Sequence, residues 1–148
     1  MNNIVIKEDI IPKIESILNL YNDVSWSAYT SNPEQLKNAI KNSLKVWTAW
    51  EDDLLIALAR VVGDGYTIIY IQDILVLQAY QRRGIGSKLL EMILKKYKDV
   101  RQIILLTDDS DKTISFYEKN GLTPVGKYNT VAFTVSYTHL TLPTICSV

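Results

Sequence analysis

The chain has 148 residues, close to the usual size of one domain, and 47% of them are hydrophobic, enough for a packed core. Its 16 Lys and Arg residues balance 16 Asp and Glu residues, so no basic surplus exists to hold a nucleic-acid backbone. No run approaches the ~18 apolar residues of a membrane-spanning helix, and the charged N-terminal segment is unlike a signal peptide. We therefore expect a cytoplasmic domain that binds neither nucleic acid nor membrane.

Histidine and cysteine each occur once, as His139 and Cys146, near the end of the chain. A single cysteine excludes an internal disulfide and a multi-cysteine zinc site. If this last segment is not part of the working protein, Ser-His-Asp and Cys-His catalysis are excluded as well. The chemistry would then depend on carboxylates, tyrosines, hydroxyls, basic side chains or backbone groups, and we expect no metal site.

The first half of the chain predicts a strand, two helices and three further strands. The predicted elements are a strand over 3–7, helices over 9–22 and 33–42, and strands over 44–50, 54–62 and 66–77. Pro12 suits the first turn of one helix, where its missing N–H costs nothing. Asn32 is the expected cap of the other helix. Short polar turns separate the three later strands, which indicates an antiparallel meander.

The second half alternates helices and strands. The predicted elements are helices over 84–99 and 111–121 and strands over 101–107, 122–128 and 129–134. The first of these helices carries its apolar residues on one face. A strand, a crossover helix and another strand make a βαβ unit with parallel pairing. The sequence therefore predicts an α/β domain with a mixed sheet.

A glycine-rich loop between strand 66–77 and helix 84–99 is the most informative segment. Gly84 and Gly86 remove side chains where the backbone must approach a ligand. The free N–H groups at the start of the helix form an anion site suited to a pyrophosphate. A Rossmann fingerprint would need a third glycine where Leu89 stands. The alternative is that both glycines only form a tight turn.

This arrangement resembles the GCN5-related N-acetyltransferase (GNAT) superfamily. The family's Gln/Arg-x-x-Gly-x-Gly/Ala motif is matched by Gln81, Gly84 and Gly86, and a second motif is matched by SFYEKNGL at 115–122. The resemblance covers about residues 3–134 and departs at Ala57, where relatives often have glycine. It implies the GNAT fold, a mixed and mostly antiparallel sheet with a central splay and flanking helices.

The resemblance also implies acetyl-CoA as co-substrate, lying in a V-shaped opening where strands four and five separate. The implied pantetheine contacts are the backbone amides of Leu75, Val76 and Leu77. The implied pyrophosphate contacts are the amides of Arg82, Arg83, Gly84, Ile85, Gly86 and Ser87. Acetyl transfer would proceed by direct attack of an amine on the thioester in a ternary complex, without a metal.

Two residues are candidates for proton transfer. Tyr117 matches the tyrosine that protonates the leaving thiolate in many family members, and a phenol with a pKa near ~10 can share a proton with a thiolate. The alternative is a packing tyrosine beside Phe116. Asp73 is the candidate base, acting directly or through water, because no histidine lies upstream of Val135. Its alternative is a structural carboxylate bonded to backbone N–H groups.

The region between the first two helices shapes the acceptor pocket in this family. Trp26 and Tyr29 could line that pocket, by apolar contact or by cation–π contact with an ammonium group. The alternative is a lid packed on the sheet. Arg60 could meet an acidic group of the acceptor, or pair with Asp64 or Asp73.

The segment 135–148 differs in character from the rest of the chain. VSYTHLTLPT shows no strand or helix periodicity, and it resembles the translation of a sequencing-library adapter. We therefore expect a domain over 1–134 followed by a non-native tail over 135–148. His139 and Cys146 accordingly receive no functional role.

The sequence thus predicts an N-acetyltransferase that moves an acetyl group from acetyl-CoA to a primary amine. A small molecule is the favoured acceptor, because the compact chain shows no additional recognition domain. The alternatives are acetylation of a protein N-terminus or lysine, and a non-catalytic acyl-CoA-binding module. A homodimer is left open.

Overall fold

The computed structural model describes residues 3–135 of the chain. Apolar side chains on consecutive strands form the centre of the molecule. The tail expected over 135–148 lies outside the described residues, apart from Val135. The strands are β1 Ile4–Glu8, β2 Lys45–Glu51, β3 Leu54–Gly63, β4 Ile68–Val76 and β5 Gln102–Ile104. The helices are α1 Ile14–Asp23, α2 Ser27–Thr30, α3 Pro33–Lys41, α4 Ile85–Lys96 and α5 Asp111–Lys119.

The described strands form one sheet in the order β1-β2-β3-β4-β5. Each neighbouring pair from β1 to β4 is antiparallel, and β4 pairs with β5 in parallel. The antiparallel meander and the parallel βαβ unit predicted from the sequence are therefore confirmed. Both faces of β3 are covered, because every residue from Leu55 to Val61 is buried. Helices α1 and α4 each pack against β3 and β4.

A bulge in β4 coincides with the separation of β4 from β5. Arg60 of β3 pairs with Asp73 while the next residue, Val61, pairs with Ile71, so Gln72 is the extra residue. The parallel ladder to β5 runs only through Ile68–Tyr70, and β4 continues beyond it to Val76. Because a bulge bends the strand and increases its twist, it directs this half of β4 away from β5. The expected splay is therefore present.

Helix α1 begins at Ile14, later than the predicted start at residue 9. Asp9 has a left-handed backbone with φ of 57°, which a helix excludes. Its carboxylate accepts from Lys45 Nζ at 2.7 Å and from the Val46 N–H at 3.3 Å, which fixes this segment to β2. By contrast, α3 is capped as predicted, since Asn32 Oδ1 accepts from the Gln35 N–H at 3.2 Å.

The two strands predicted over 122–128 and 129–134 are wrong. The structure has a 3₁₀ turn at Val125–Tyr128 and no strand between it and residue 135. Pro124 cannot donate a ladder hydrogen bond, and Asn129 adopts a left-handed φ of 56°. The side chain of Phe133 is 93% exposed. Alternating apolar and polar residues form a stable strand only where a partner strand and an apolar contact surface are available.

Two further differences concern shorter segments. The region between the two predicted N-terminal helices contains a further short helix, α2, and the strand predicted over 101–107 is reduced to Gln102–Ile104. Within the described part of the chain, no helix has the length and apolar character needed to cross a bilayer.

Candidate active site

The glycine-rich loop is exposed as far as Gly84, and helix α4 begins directly after it with the buried residues Ile85 and Gly86. Gly84 has a left-handed φ of 82°, and a Cβ there would meet no described atom within 4 Å. The Lys88 N–H donates to the Gly84 carbonyl at 3.0 Å, which begins the helical hydrogen-bond pattern. The N–H groups of Ile85, Gly86 and Ser87 precede this bond, so they have no partner within the helix. An anionic group can therefore approach them from the open side of Gly84.

Side-chain contacts fix this loop to the sheet. Gln81 Nε2 donates to the carbonyl of Val76 at 2.9 Å. The guanidinium of Arg83 lies 5.0 Å from the ring centre of Tyr80, and the Tyr80 hydroxyl donates to Glu51 Oε1 at 2.6 Å. The arginine is therefore held beside the helix start, where a cation favours bound phosphate.

The register of β4 distinguishes the three amides that were expected to hold pantetheine. The Leu77 N–H donates to the Ile56 carbonyl at 2.8 Å, so it is already used within the sheet. Because backbone N–H groups alternate in direction along a strand, that of Leu75 also faces β3. The N–H of Val76 faces the splayed edge. The geometry thus favours Val76 among the three.

A buried ion pair lies on β3 and β4, beside the bulge. Arg60 and Asp73 are directly opposite each other in the ladder, and Arg60 Nε donates to Asp73 Oδ2 at 2.5 Å. The two residues are only 5% and 1% exposed. Burial alone would lower the pKa of Arg60, but the Asp73 carboxylate raises it above its usual value, so Arg60 remains charged. Of the partners considered for Arg60, Asp73 is the one observed.

Two tyrosines also donate hydrogen bonds to Asp73. The Tyr21 hydroxyl donates to Oδ2 at 2.8 Å and the Tyr29 hydroxyl to Oδ1 at 3.1 Å. Gln72 Nε2 donates to the Tyr29 hydroxyl at 3.0 Å. Burial and the charge of Asp73 raise the pKa of Tyr21 well above its usual value and that of Tyr29 to about 12. Both phenols therefore stay protonated at physiological pH and serve as donors.

This network favours the structural alternative for Asp73, although its partners are side chains rather than the backbone N–H groups considered from the sequence. The Asp73 carboxylate accepts from Arg60, Tyr21 and Tyr29, so three of its roughly four acceptor positions are already used within the protein. The network holds α1 and α2 against β4.

Trp26 joins Tyr21 and Tyr29 in an aromatic cluster. The ring centres lie 5.6 Å apart for Tyr21 and Trp26, 5.5 Å for Tyr21 and Tyr29, and 5.8 Å for Trp26 and Tyr29. The carboxylate of Asp23, at the end of α1, accepts from the Gln78 N–H at 2.7 Å. Gln78 lies two residues after the end of β4, so this bond and the bonds of Tyr21 and Tyr29 to Asp73 place the cluster beside the C-terminal half of β4.

Tyr117 lies in α5 with its side chain buried. Its ring contacts Phe116 with centres 5.1 Å apart, and it lines a cavity of about 730 Å³ bordered by β5, α5 and residues 121–128. The glycine-rich loop does not border this cavity. The end of α5 nevertheless reaches the start of α4, since Asn120 Nδ2 donates to Ser87 Oγ at 3.4 Å.

The structure therefore brings four predicted residues into one cluster, namely Trp26, Tyr29, Arg60 and Asp73. It places Arg82–Ser87 in a second group at the start of α4. Sequence reasoning missed Tyr21 and Gln72. Tyr21 lies at helical spacing with the apolar residues of α1, and its hydroxyl was the available signal, because a buried tyrosine usually finds a hydrogen-bond partner.

Comparison with known proteins agrees with this architecture. The family model described as the acetyltransferase (GNAT) family matches residues 11–122. An N-acetyltransferase ycf52-like protein of Prochlorococcus marinus, described as uncharacterized, is 32% identical over 120 residues, which cover 77% of this chain and 64% of that protein. The chain thus spans less than two thirds of the length of this curated relative. The chain belongs to the GNAT acetyltransferase family.

Two solved structures are similar over nearly their whole length. A GNAT-family acetyltransferase of Streptococcus pneumoniae is 34% identical with a TM-score of 0.81, covering 90% of this chain and 98% of that one. A protein of meticillin-resistant Staphylococcus aureus, described as a probable acetyltransferase, is 27% identical with a TM-score of 0.74, covering 91% and 100%. The mixed, splayed sheet with flanking helices is therefore a GNAT fold.

Proposed function

We propose that the protein transfers the acetyl group of acetyl-CoA to the primary amine of a small molecule. The observation that carries this proposal is that the splayed edge of β4 and the N-terminal end of α4 follow each other along the chain. The splayed edge of β4 is followed, after residues 77–84, by a helix whose first N–H groups have no partner within the helix. A thioester cofactor with an extended arm and a pyrophosphate matches that sequence of surfaces, because the arm can add to the strand edge while the helix start binds the phosphates.

Each part of the cofactor has a proposed partner in the chain. The N–H of Val76 holds the pantetheine amide at the splayed edge. The N–H groups of Ile85, Gly86 and Ser87 hold the pyrophosphate, and the exposed Arg82 and Arg83 supply positive charge beside it.

The proposed reaction is a direct acyl transfer. The amine nitrogen attacks the thioester carbonyl, the new C–N bond forms, and the C–S bond breaks with its electron pair leaving on sulfur. The Tyr117 hydroxyl gives its proton to this thiolate, the proton of the amine passes to water, and the Tyr117 phenolate then takes a proton back from water. Asp73 is a positioning residue here, because it fixes Tyr29 and Arg60 beside the splay rather than exchanging a proton itself.

Release of free CoA thiol in the presence of an amine panel tests this proposal. The panel contains small primary amines, peptides with free N-termini and lysine-containing peptides with blocked N-termini. We expect thiol release that depends on a small amine. Turnover of peptides alone would favour protein acetylation. Acetyl-CoA binding without release for any amine would indicate an acyl-CoA-binding module.

A further inference from the structure

One polar group in the aromatic cluster, the indole N–H of Trp26, differs from the tyrosine hydroxyls beside it. The hydroxyls of Tyr21 and Tyr29 are both bonded to Asp73. The indole N–H of Trp26 is buried and finds no hydrogen-bond acceptor among residues 3–135. The whole residue is 8% exposed, so bulk water has little access to it.

An unpaired N–H in such a place is costly. Leaving a buried donor without an acceptor destabilises a protein, and native structures contain few such groups. Phenylalanine would fill much of the same space without this cost. A donor kept at this position is therefore best explained by an acceptor that arrives with a ligand.

The position of Trp26 indicates which ligand this is. Its backbone N–H donates to the Tyr21 carbonyl at 3.0 Å, and its carbonyl accepts from the Tyr29 N–H at 3.0 Å. It is therefore held between the two tyrosines that donate to Asp73 of β4. Trp26 thus lies on the side of the sheet that α1 and α2 cover, beside the half of β4 that does not pair with β5.

We infer that the Trp26 indole N–H donates a hydrogen bond to an oxygen atom of the acceptor substrate. The inference rests on the proposed function and narrows its substrate class. The acceptor is a primary amine that also carries an uncharged oxygen, such as a hydroxyl, ether or carbonyl oxygen. Since the site offers a donor and an apolar ring at the same place, the oxygen lies within a largely apolar part of the molecule.

Matched amines test the inference by turnover. The probes are n-hexylamine and its ether isosteres, in which one oxygen replaces a methylene at each chemically stable position in turn. At least one isostere should exceed n-hexylamine in kcat/KM by about 2- to 12-fold, the range that a net neutral hydrogen bond supplies. Trp26→Phe should abolish that preference. Trp50→Phe is the matched control, because the Trp50 indole N–H donates to Thr48 Oγ1 at 2.8 Å on β2, and it should retain the preference.

A second measurement on the unmodified protein needs neither turnover nor a variant. The Trp26 indole N–H resonance of the ¹⁵N-labelled protein, assigned by triple-resonance experiments, is followed with CoA and each amine present. An ether isostere should shift the proton downfield and slow its exchange with solvent, whereas n-hexylamine should not. If no amine is turned over but an isostere shifts this resonance, the proposed activity fails and the inferred contact stands. If no isostere shifts it, or Trp26→Phe keeps the preference, the inference is overturned.

Discussion

Replacement of Asp73 by Asn tests whether the buried ion pair supports the fold. The change removes one charge and leaves Arg60 charged and only 5% exposed. The remaining acceptors of the guanidinium are neutral and distant, the Ser43 hydroxyl at 3.3 Å and the Ala39 carbonyl at 3.4 Å. The arginine therefore cannot recover an equivalent partner without moving.

The expected loss of stability is large. Removing one partner of a buried pair costs about 3–5 kcal/mol, because the other charge stays buried without compensation. Tyr21 and Tyr29 also lose a charged acceptor. A domain of this size has about 5–15 kcal/mol of stability, so Asp73→Asn should still fold at low temperature.

Urea unfolding followed by circular dichroism measures this loss. Asp53→Asn is the matched control, since Asp53 lies exposed in the turn after β2 and should change the free energy of unfolding by less than about 0.5 kcal/mol. Adding Arg60→Met to Asp73→Asn should recover part of the loss, because it removes the uncompensated charge. A loss below about 1 kcal/mol for Asp73→Asn would refute the reasoning.

Three further predictions concern the cofactor loop, the proposed acid and the tyrosine network. Gly84→Val and Gly121→Val both place a β-branched residue at positive φ in open space, so each variant should lose about 1–3 kcal/mol of stability. Acetyl-CoA should raise the melting temperature of the parent protein and of Gly121→Val, but not that of Gly84→Val. Equal rises in both variants would contradict the assignment of the loop to acetyl-CoA binding. Tyr117→Phe should lower kcat by roughly 10²-fold or more with little change in acetyl-CoA affinity, and an unchanged kcat with chemistry rate-limiting would make it a packing residue. The pKa of Tyr29 is raised from ~10 in the unfolded chain to about 12 in the folded state. The contribution of the protonated Tyr29 to folding stability is therefore complete below pH ~10 and is lost as the pH rises to about 12. The free energy of unfolding should fall by about 1–2 kcal/mol over that range after solvent screening is allowed for, and an equal fall in Tyr29→Phe would contradict the assignment.

Local signals were sufficient for much of the fold. The apolar face of α4 follows from helical spacing, and Asn32 caps α3 because Asn is a preferred N-cap before a proline at the first helical position. The glycine-rich loop was equally readable, since Gly84 supplies a left-handed backbone. Each of these depends on residues close together in the sequence.

The parts that sequence reasoning missed depend on distant residues. The bond between Tyr21 and Asp73 joins positions 52 residues apart, and no periodicity encodes it. The bulge at Gln72 arises from the register between β3 and β4. The alternation over 129–134 predicted a strand wrongly, because the pattern states which side chains are apolar and not whether a neighbouring strand is available. Several residues of the cluster around Asp73 were thus predicted individually, but the contacts between them were not.

The most direct test of the central claim is an NMR titration of the ¹⁵N-labelled protein with acetyl-CoA. The account predicts saturable shifts of the backbone amides of Val76, Ile85, Gly86 and Ser87, all with one dissociation constant. The amide of Leu77, which is bonded to Ile56, should retain its protection from exchange. If no amide shifts, or if only amides bordering the cavity between β5 and α5 shift while those of Val76, Ile85, Gly86 and Ser87 do not, acetyl-CoA does not occupy the splayed edge and the account is contradicted.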